Sequence, residues 1–170
     1  YLDAVVTMAR DDNLDPAFRA LALGLPSQDD LAQSLFDLGN TPDPQAIWEA
    51  LETMRQAQAE KMQDVAVKLY AAFQVTDAYR PDAAQSGARA LANATLGMIS
   101  RLDGGVQAQK QYDTATNMTQ QLAAFTCLLQ AGKGEKAVEA FYNQWHEDRL
   151  VIDKWFALQI SNAAPNAAAA

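Results

Sequence analysis

The sequence predicts an all-α fold, an α-solenoid assembled from antiparallel helix pairs, on three observations. Apolar residues recur at spacings of three and four, and strand-like alternation is absent, as expected of amphipathic helices. Helix-starting and helix-breaking residues alternate along the second half of the chain. Starts at Pro81, Asn117 and Leu150 follow one another at about 33 to 36 residues, the period of a two-helix repeat. The 170 residues suffice for one domain with a core and are short for two. A plain helical bundle satisfies the same apolar pattern without the repeat.

Residues 1–40 read as short helices. The first covers about Leu2 to Arg10. The second follows Asp15-Pro16, a cap and a first-turn proline, and ends near Gly24. Ser27 starts the third, where its hydroxyl caps and Asp29 and Asp30 complement the helix dipole; Gly39-Asn40 stops it. Residues 41–74 form one long helix from about Pro44 to Phe73. Its stripe is Ile47, Leu51, Met54, Gln58, Met62, Val65, Leu69 and Phe73, interrupted only by Gln58.

Residues 81–160 carry the paired helices. Pro81-Asp82 opens one with Ala84, Ala88, Leu91, Thr95, Met98 and Leu102, closed by Gly104-Gly105; a shorter helix then reaches about Thr114. Asn117-Met118-Thr119-Gln120 reads as a capping box, followed by the stripe Met118, Leu122, Phe125 and Leu129. After Gly132-Lys133-Gly134 comes a helix with Ala137 or Val138, Phe141 and Trp145 on one side. The last begins near Leu150, and its run Leu150 to Gln159 is dense enough in apolar side chains to demand burial against something. Residues 161–170 read as a turn and the start of a further helix, so the chain is expected to be cut within its helical array.

Composition narrows the function. Hydrophobic residues make up 49% and charged residues 20%, and the net charge is −8. Lys and Arg are scattered singly, which argues against nucleic acid as a partner. No run approaches the ~20 apolar residues that span a bilayer, and no signal peptide is visible. The single cysteine, Cys127, lies in the apolar run Leu122 to Leu129 and reads as a small buried hydrophobe.

Each candidate for chemistry has a plainer explanation. His146-Glu147-Asp148-Arg149-Leu150 begins like the zinc motif HExxH and fails at its second histidine, which is Leu150. Asp11-Asp12-Asn13-Leu14-Asp15 matches a DDxxD magnesium pattern but falls at a helix junction. Asn93-Ala94-Thr95 and Asn117-Met118-Thr119 are formal glycosylation sequons set in or at the start of helices. No phosphate loop, dinucleotide fingerprint or Ser-His-Asp set can be assembled. No residue is therefore assigned as catalytic or metal-binding. The residues expected to matter are structural: Trp145, Trp155 and Phe156 as core anchors, Asn117 as a cap, and Asp153 with Lys154 as a charge pair on a helix buried on several sides.

Three sets of blocks carry a resemblance. They are Asp15-Pro16-Ala17 with Leu23-Gly24-Leu25-Pro26-Ser27; Asn117-Met118-Thr119 with Leu122-Ala123-Ala124; and Tyr142-x-x-Trp145-His146 followed by Leu150-Val151-x-Asp153-Lys154-Trp155-Phe156-x-Leu158-Gln159. In order and spacing the chain resembles the C-terminal helical domain of bacterial aminopeptidase N, in the thermolysin-like zinc aminopeptidase family. The resemblance implies an armadillo-like superhelix of helix pairs. It also implies a parent enzyme that removes single residues from peptide N-termini with one zinc ion, held by an HExxH segment and a distant glutamate outside this chain. The partners implied are the catalytic domain of the same polypeptide and, through it, peptide substrates; no cofactor belongs to this segment itself. The role implied is to wall the active-site cavity and restrict access. A cytoplasmic location follows from the family and the lack of disulfides. A free-standing helical-repeat adaptor is the competing class.

Overall fold

The computed structural model describes residues 1–162. Among them nine helices and no strands occur: α1 (Leu2–Arg10), α2 (Pro16–Ala22), α3 (Gln28–Asp37), α4 (Pro44–Ala72), α5 (Ala83–Asp103), α6 (Val106–Thr114), α7 (Met118–Gln130), α8 (Glu135–Trp145) and α9 (Arg149–Ser161). The further helix expected after Ser161 lies outside the described residues. Among the described residues no helix is long and apolar enough to cross a membrane.

Local chemistry explains most of the starts. Asp15 accepts from the N–H groups of Ala17 and Phe18, and Asp43 from those of Gln45 and Ala46, each ahead of a proline at the first helical position. Ser27 and Asp30 form a reciprocal capping box on α3. Asp82 accepts from Gln85 N–H at 2.8 Å to open α5. Between α5 and α6 the chain turns through Gly104 and Gly105, at φ +66° and +87°, a region that side chains with a Cβ avoid. The Asp103 carboxylate accepts from three successive N–H groups, those of Gly105, Val106 and Gln107, and so caps α6.

The helices gather into two compact units. The first comprises Tyr1–Thr76 with Arg80–Met98, and the second Asp77–Tyr79 with the chain from Ile99 onward. In the first, α4 packs against α1 and α3, and α1 against α2. Val5, Ala9, Leu23, Met62, Val65, Leu69 and Leu91 make its buried core, with Ala20, Phe73, Ala94 and Met98 packed around it. Gly87 lets α5 come close to α2, since a Cβ there would meet Ala17 N at 3.2 Å. In the second, α6 packs on α7, α7 on α8 and α8 on α9.

Two expectations about burial are corrected. Met54 is exposed although it sits on the α4 stripe. It occupies one edge of that stripe, while burial extends to the opposite edge through the small residues Ala59 and Ala66. The last helix is the larger surprise: α9 has no buried residue. Its inward side, including Val151, Ile152, Trp155 and Leu158, is half-buried, while Leu150, Phe156 and Ile160 face outward at 76%, 53% and 76% exposure.

Candidate functional site

In the second unit an aromatic ladder runs from α6 to α8. Tyr112 packs on Phe125, Phe125 stacks on Phe141 with centroids 5.3 Å apart, and Phe141 meets Trp145. Phe125 and Phe141 are fully buried. The polar ends of Tyr112, Trp145 and Trp155 find acceptors. Tyr112 donates to Ala137 O, Trp145 Nε1 to Gln121 Oε1, and Trp155 Nε1 to Val138 O at 2.9 Å. Burial pushes the Tyr112 phenol up from its usual value. Trp145 and Trp155 are half-buried and tied to neighbouring helices through these bonds.

Phe156 has a different place. It packs edge-on against Trp155 but is 53% exposed, so within this chain it anchors no core. Asp153 and Lys154 are both exposed, and among the described residues no ion pair joins them. Consecutive residues on a helix point in different directions, so an adjacent acid and base cannot face each other. Asn117 accepts from Gln120 N–H at 3.1 Å at the start of α7, while its amide donates to the Gln120 side chain. The reciprocal bond thus runs between side chains rather than to the Asn117 backbone.

The other candidates are engaged locally. Asp11 accepts from both the backbone and side chain of Asn13, which holds its carboxyl below the usual value. Asp12 pairs with Arg19, and Asp15 caps α2. His146 is exposed at the end of α8, with Nδ1 3.1 Å from Asn143 O and its ring stacked on Tyr142. Among the described residues no three His, Cys, Asp or Glu side chains gather as metal ligands. Zinc, implied by the resemblance, does not fit the donor groups of this chain. Thr95 of the first sequon is fully buried and donates to Leu91 O and Ala92 O. Cys127 is buried, and burial pushes its thiol up to about 11, partly offset by the Ser100 hydroxyl.

A set of buried polar side chains had no expectation attached. Arg19, 2% exposed, places Nε and a terminal nitrogen on Ala9 O at the end of α1 and its other nitrogen on Asp12. Its guanidinium also lies 5.3 Å from the centre of the Phe73 ring. Gln58 reaches from α4 to donate to Leu23 O at the end of α2, at 2.9 Å. Gln111 donates to Gln120 O. Arg19 and Gln58 thereby satisfy carbonyls that the ends of α1 and α2 leave without partners. The one sequence signal was Gln58 itself, a polar residue inside an apolar stripe.

An open cleft of about 530 Å³ in the second unit is bordered by Gly105, Val106, Gln109, Leu128, Lys133 and Lys136. Its charged lining is Lys133, Glu135 and Lys136, which offers no nucleophile beside a base.

Comparison with known proteins gives one consistent result. The family model described as a domain of unknown function (DUF3458_C) with ARM repeats matches residues 1–170. Aminopeptidase N of Caulobacter vibrioides is 34% identical over 98% of this chain, which corresponds to 20% of that protein. Aminopeptidase N of Escherichia coli is 32% identical over 96% of the chain and 19% of its own length. The Haemophilus influenzae aminopeptidase N is 30% identical over 89% and 17%. The chain spans about one fifth of the length of the first two curated relatives, and the match is to the C-terminal domain of aminopeptidase N.

Proposed function

We propose a function from one premise: this chain belongs to the DUF3458_C family of ARM-repeat domains, and its fold is an armadillo-like helical array. It serves as a single, non-catalytic helical-repeat domain of a zinc-dependent aminopeptidase that removes N-terminal residues from peptides. There it walls the active-site cavity and limits which peptides reach the catalytic domain of the same polypeptide. Zinc is held by that catalytic domain, and the enzyme works in the cytoplasm.

The observation that carries this reading is near-complete coverage of the chain by aminopeptidase N relatives at 30–34% identity. The sequence supports a division of labour, because its one histidine has no second imidazole within a helical turn. A helical-repeat array supplies the kind of extended surface that can border a cavity.

The test uses the full-length polypeptide and a variant lacking this domain. Rates are compared on a short amino-acyl anilide and on a long unfolded peptide, with zinc present and after chelation. The expected outcome is zinc-dependent hydrolysis in both proteins, with the long peptide favoured relatively more by the variant. An unchanged ratio of the two rates overturns the access role, and hydrolysis indifferent to chelation overturns the zinc enzyme.

A further inference from the structure

Among the described residues, α5 is the only helix that belongs to both compact units. The units divide between Met98 and Ile99, inside α5, while the other crossings, at residues 76–77 and 79–80, fall in the loop before it. Met98 is also the last residue of α5 that packs on the core of the first unit. The border therefore lies in the backbone of a continuous helix.

Two glycines sit inside α5, and they differ in kind. Gly87 is required by packing, since a Cβ there would meet Ala17 N at 3.2 Å. At Gly97 a Cβ would meet nothing within 4 Å among the described residues. Alanine would fit at 97 and would favour the helix, because glycine loses more backbone freedom on folding. Packing within this chain gives no reason for a glycine one residue ahead of Met98. Bending does, as glycine is a common point of helix kinking.

Thr95 weakens the same turn. Its hydroxyl is fully buried and donates to Leu91 O at 3.0 Å and Ala92 O at 2.9 Å. In an α-helix those carbonyls are the acceptors of the Thr95 and Leu96 N–H groups. A hydroxyl that shares them competes with the helix ladder and favours a bend. Gly97 follows directly, so the two local devices occupy consecutive links of α5.

We propose that α5 contains a flexure at Thr95–Gly97, where the helix opens and bends so that the two units move as separate bodies, each keeping its own core.

The test is amide hydrogen exchange on the full-length polypeptide, resolved to single residues of α5 by mass spectrometry. The amides of Met98 to Arg101, whose helical acceptors run from Ala94 O to Gly97 O, report on the flexure. Corrected for intrinsic rates, they should exchange about ten-fold faster than those of Ala88 to Ala92. Gly97→Ala should slow them several-fold and leave Ala88 to Ala92 unchanged. Spin-label amino acids at the exposed positions Glu60 and Glu139, one in each unit, supply a second readout. Their distance distribution should be broad and should narrow in Gly97→Ala. Equal protection along α5 overturns the proposal, and so does a distribution whose width Gly97→Ala leaves unchanged. A Gly97→Ala polypeptide that melts at lower temperature also overturns it, because a segment outside these 170 residues would then be packed against the glycine.

Discussion

The two units are held together by different chemistry. In the first, the buried core is aliphatic and its helix ends are tied by long polar side chains: Arg19 on Ala9 O, and Gln58 on Leu23 O. In the second, the centre is the aromatic series Tyr112, Phe125, Phe141 and Trp145, and polar atoms at its margins point outward to carbonyls and amides. The contrast has a physical origin. Short helices such as α1 and α2 end inside the first unit, and their last carbonyls must find donors there. Buried aromatic rings instead supply area and stacking, at the cost of leaving a large cavity if one is removed. One unit should therefore be sensitive to loss of donors and the other to loss of volume.

The largest effect is expected in the aromatic unit. Phe141→Ala should lose about 3–5 kcal/mol in denaturant unfolding, since the ring is fully buried and stacked on Phe125. A loss near 1 kcal/mol would mean that α8 collapses to fill the space, and the contrast between units would weaken.

Arg19→Met comes next, at about 2–3 kcal/mol, because Ala9 O is orphaned while most of the packing is kept. Lysine should not restore the loss, as it lacks the planar fork that meets Ala9 O and Asp12 together. Gln58→Leu should cost about 1–2 kcal/mol by leaving Leu23 O without a donor. A neutral or stabilising Gln58→Leu would show that the first unit is held by volume like the second.

Smaller effects sharpen the account of the last helix. Trp155→Phe should lose about 1 kcal/mol with its bond to Val138 O. Phe156→Ser should change the stability of the chain by less than about 0.5 kcal/mol, since an exposed ring has little to lose. A thermal or denaturant melt of each separates them.

The Cys127 thiol adds a pH signature to the second unit. Burial raises its pKa from 9.0 to about 11, so the native state keeps its proton where the unfolded state has lost it. The stabilising contribution is complete below pH 9 and declines as pH rises towards about 11. Cys127→Ala should remove that decline from a series of melts between those pH values.

Much of the architecture was legible because helix starts are local events. Asp15-Pro16, Ser27 with Asp30, Asp43-Pro44 and Asn117 cap their helices through atoms two or three residues away. The family blocks Asn117 to Ala124 and Tyr142 to Gln159 were equally visible, because side-chain identity in order needs no coordinates. Arg19 was not legible. A single arginine on a short helix reads as solvent-facing, and its burial depends on a carbonyl ten residues earlier and a ring at Phe73. Phe156 misled for the complementary reason, since apolar density predicts a need for burial without saying what covers the surface.

By itself, then, the sequence determined where each helix begins, which family the chain belongs to and that its only histidine has no partner for zinc. All of these depend on residue identity and short-range spacing. Tertiary structure alone decided which of two similar aromatics, Trp155 or Phe156, turns inward. It also decided that Gln58 donates rather than disrupts and that Arg19 is buried against Ala9 O and the Phe73 ring. The reason is that burial and hydrogen-bond partnership are set by groups distant in the chain, whose approach no local periodicity encodes.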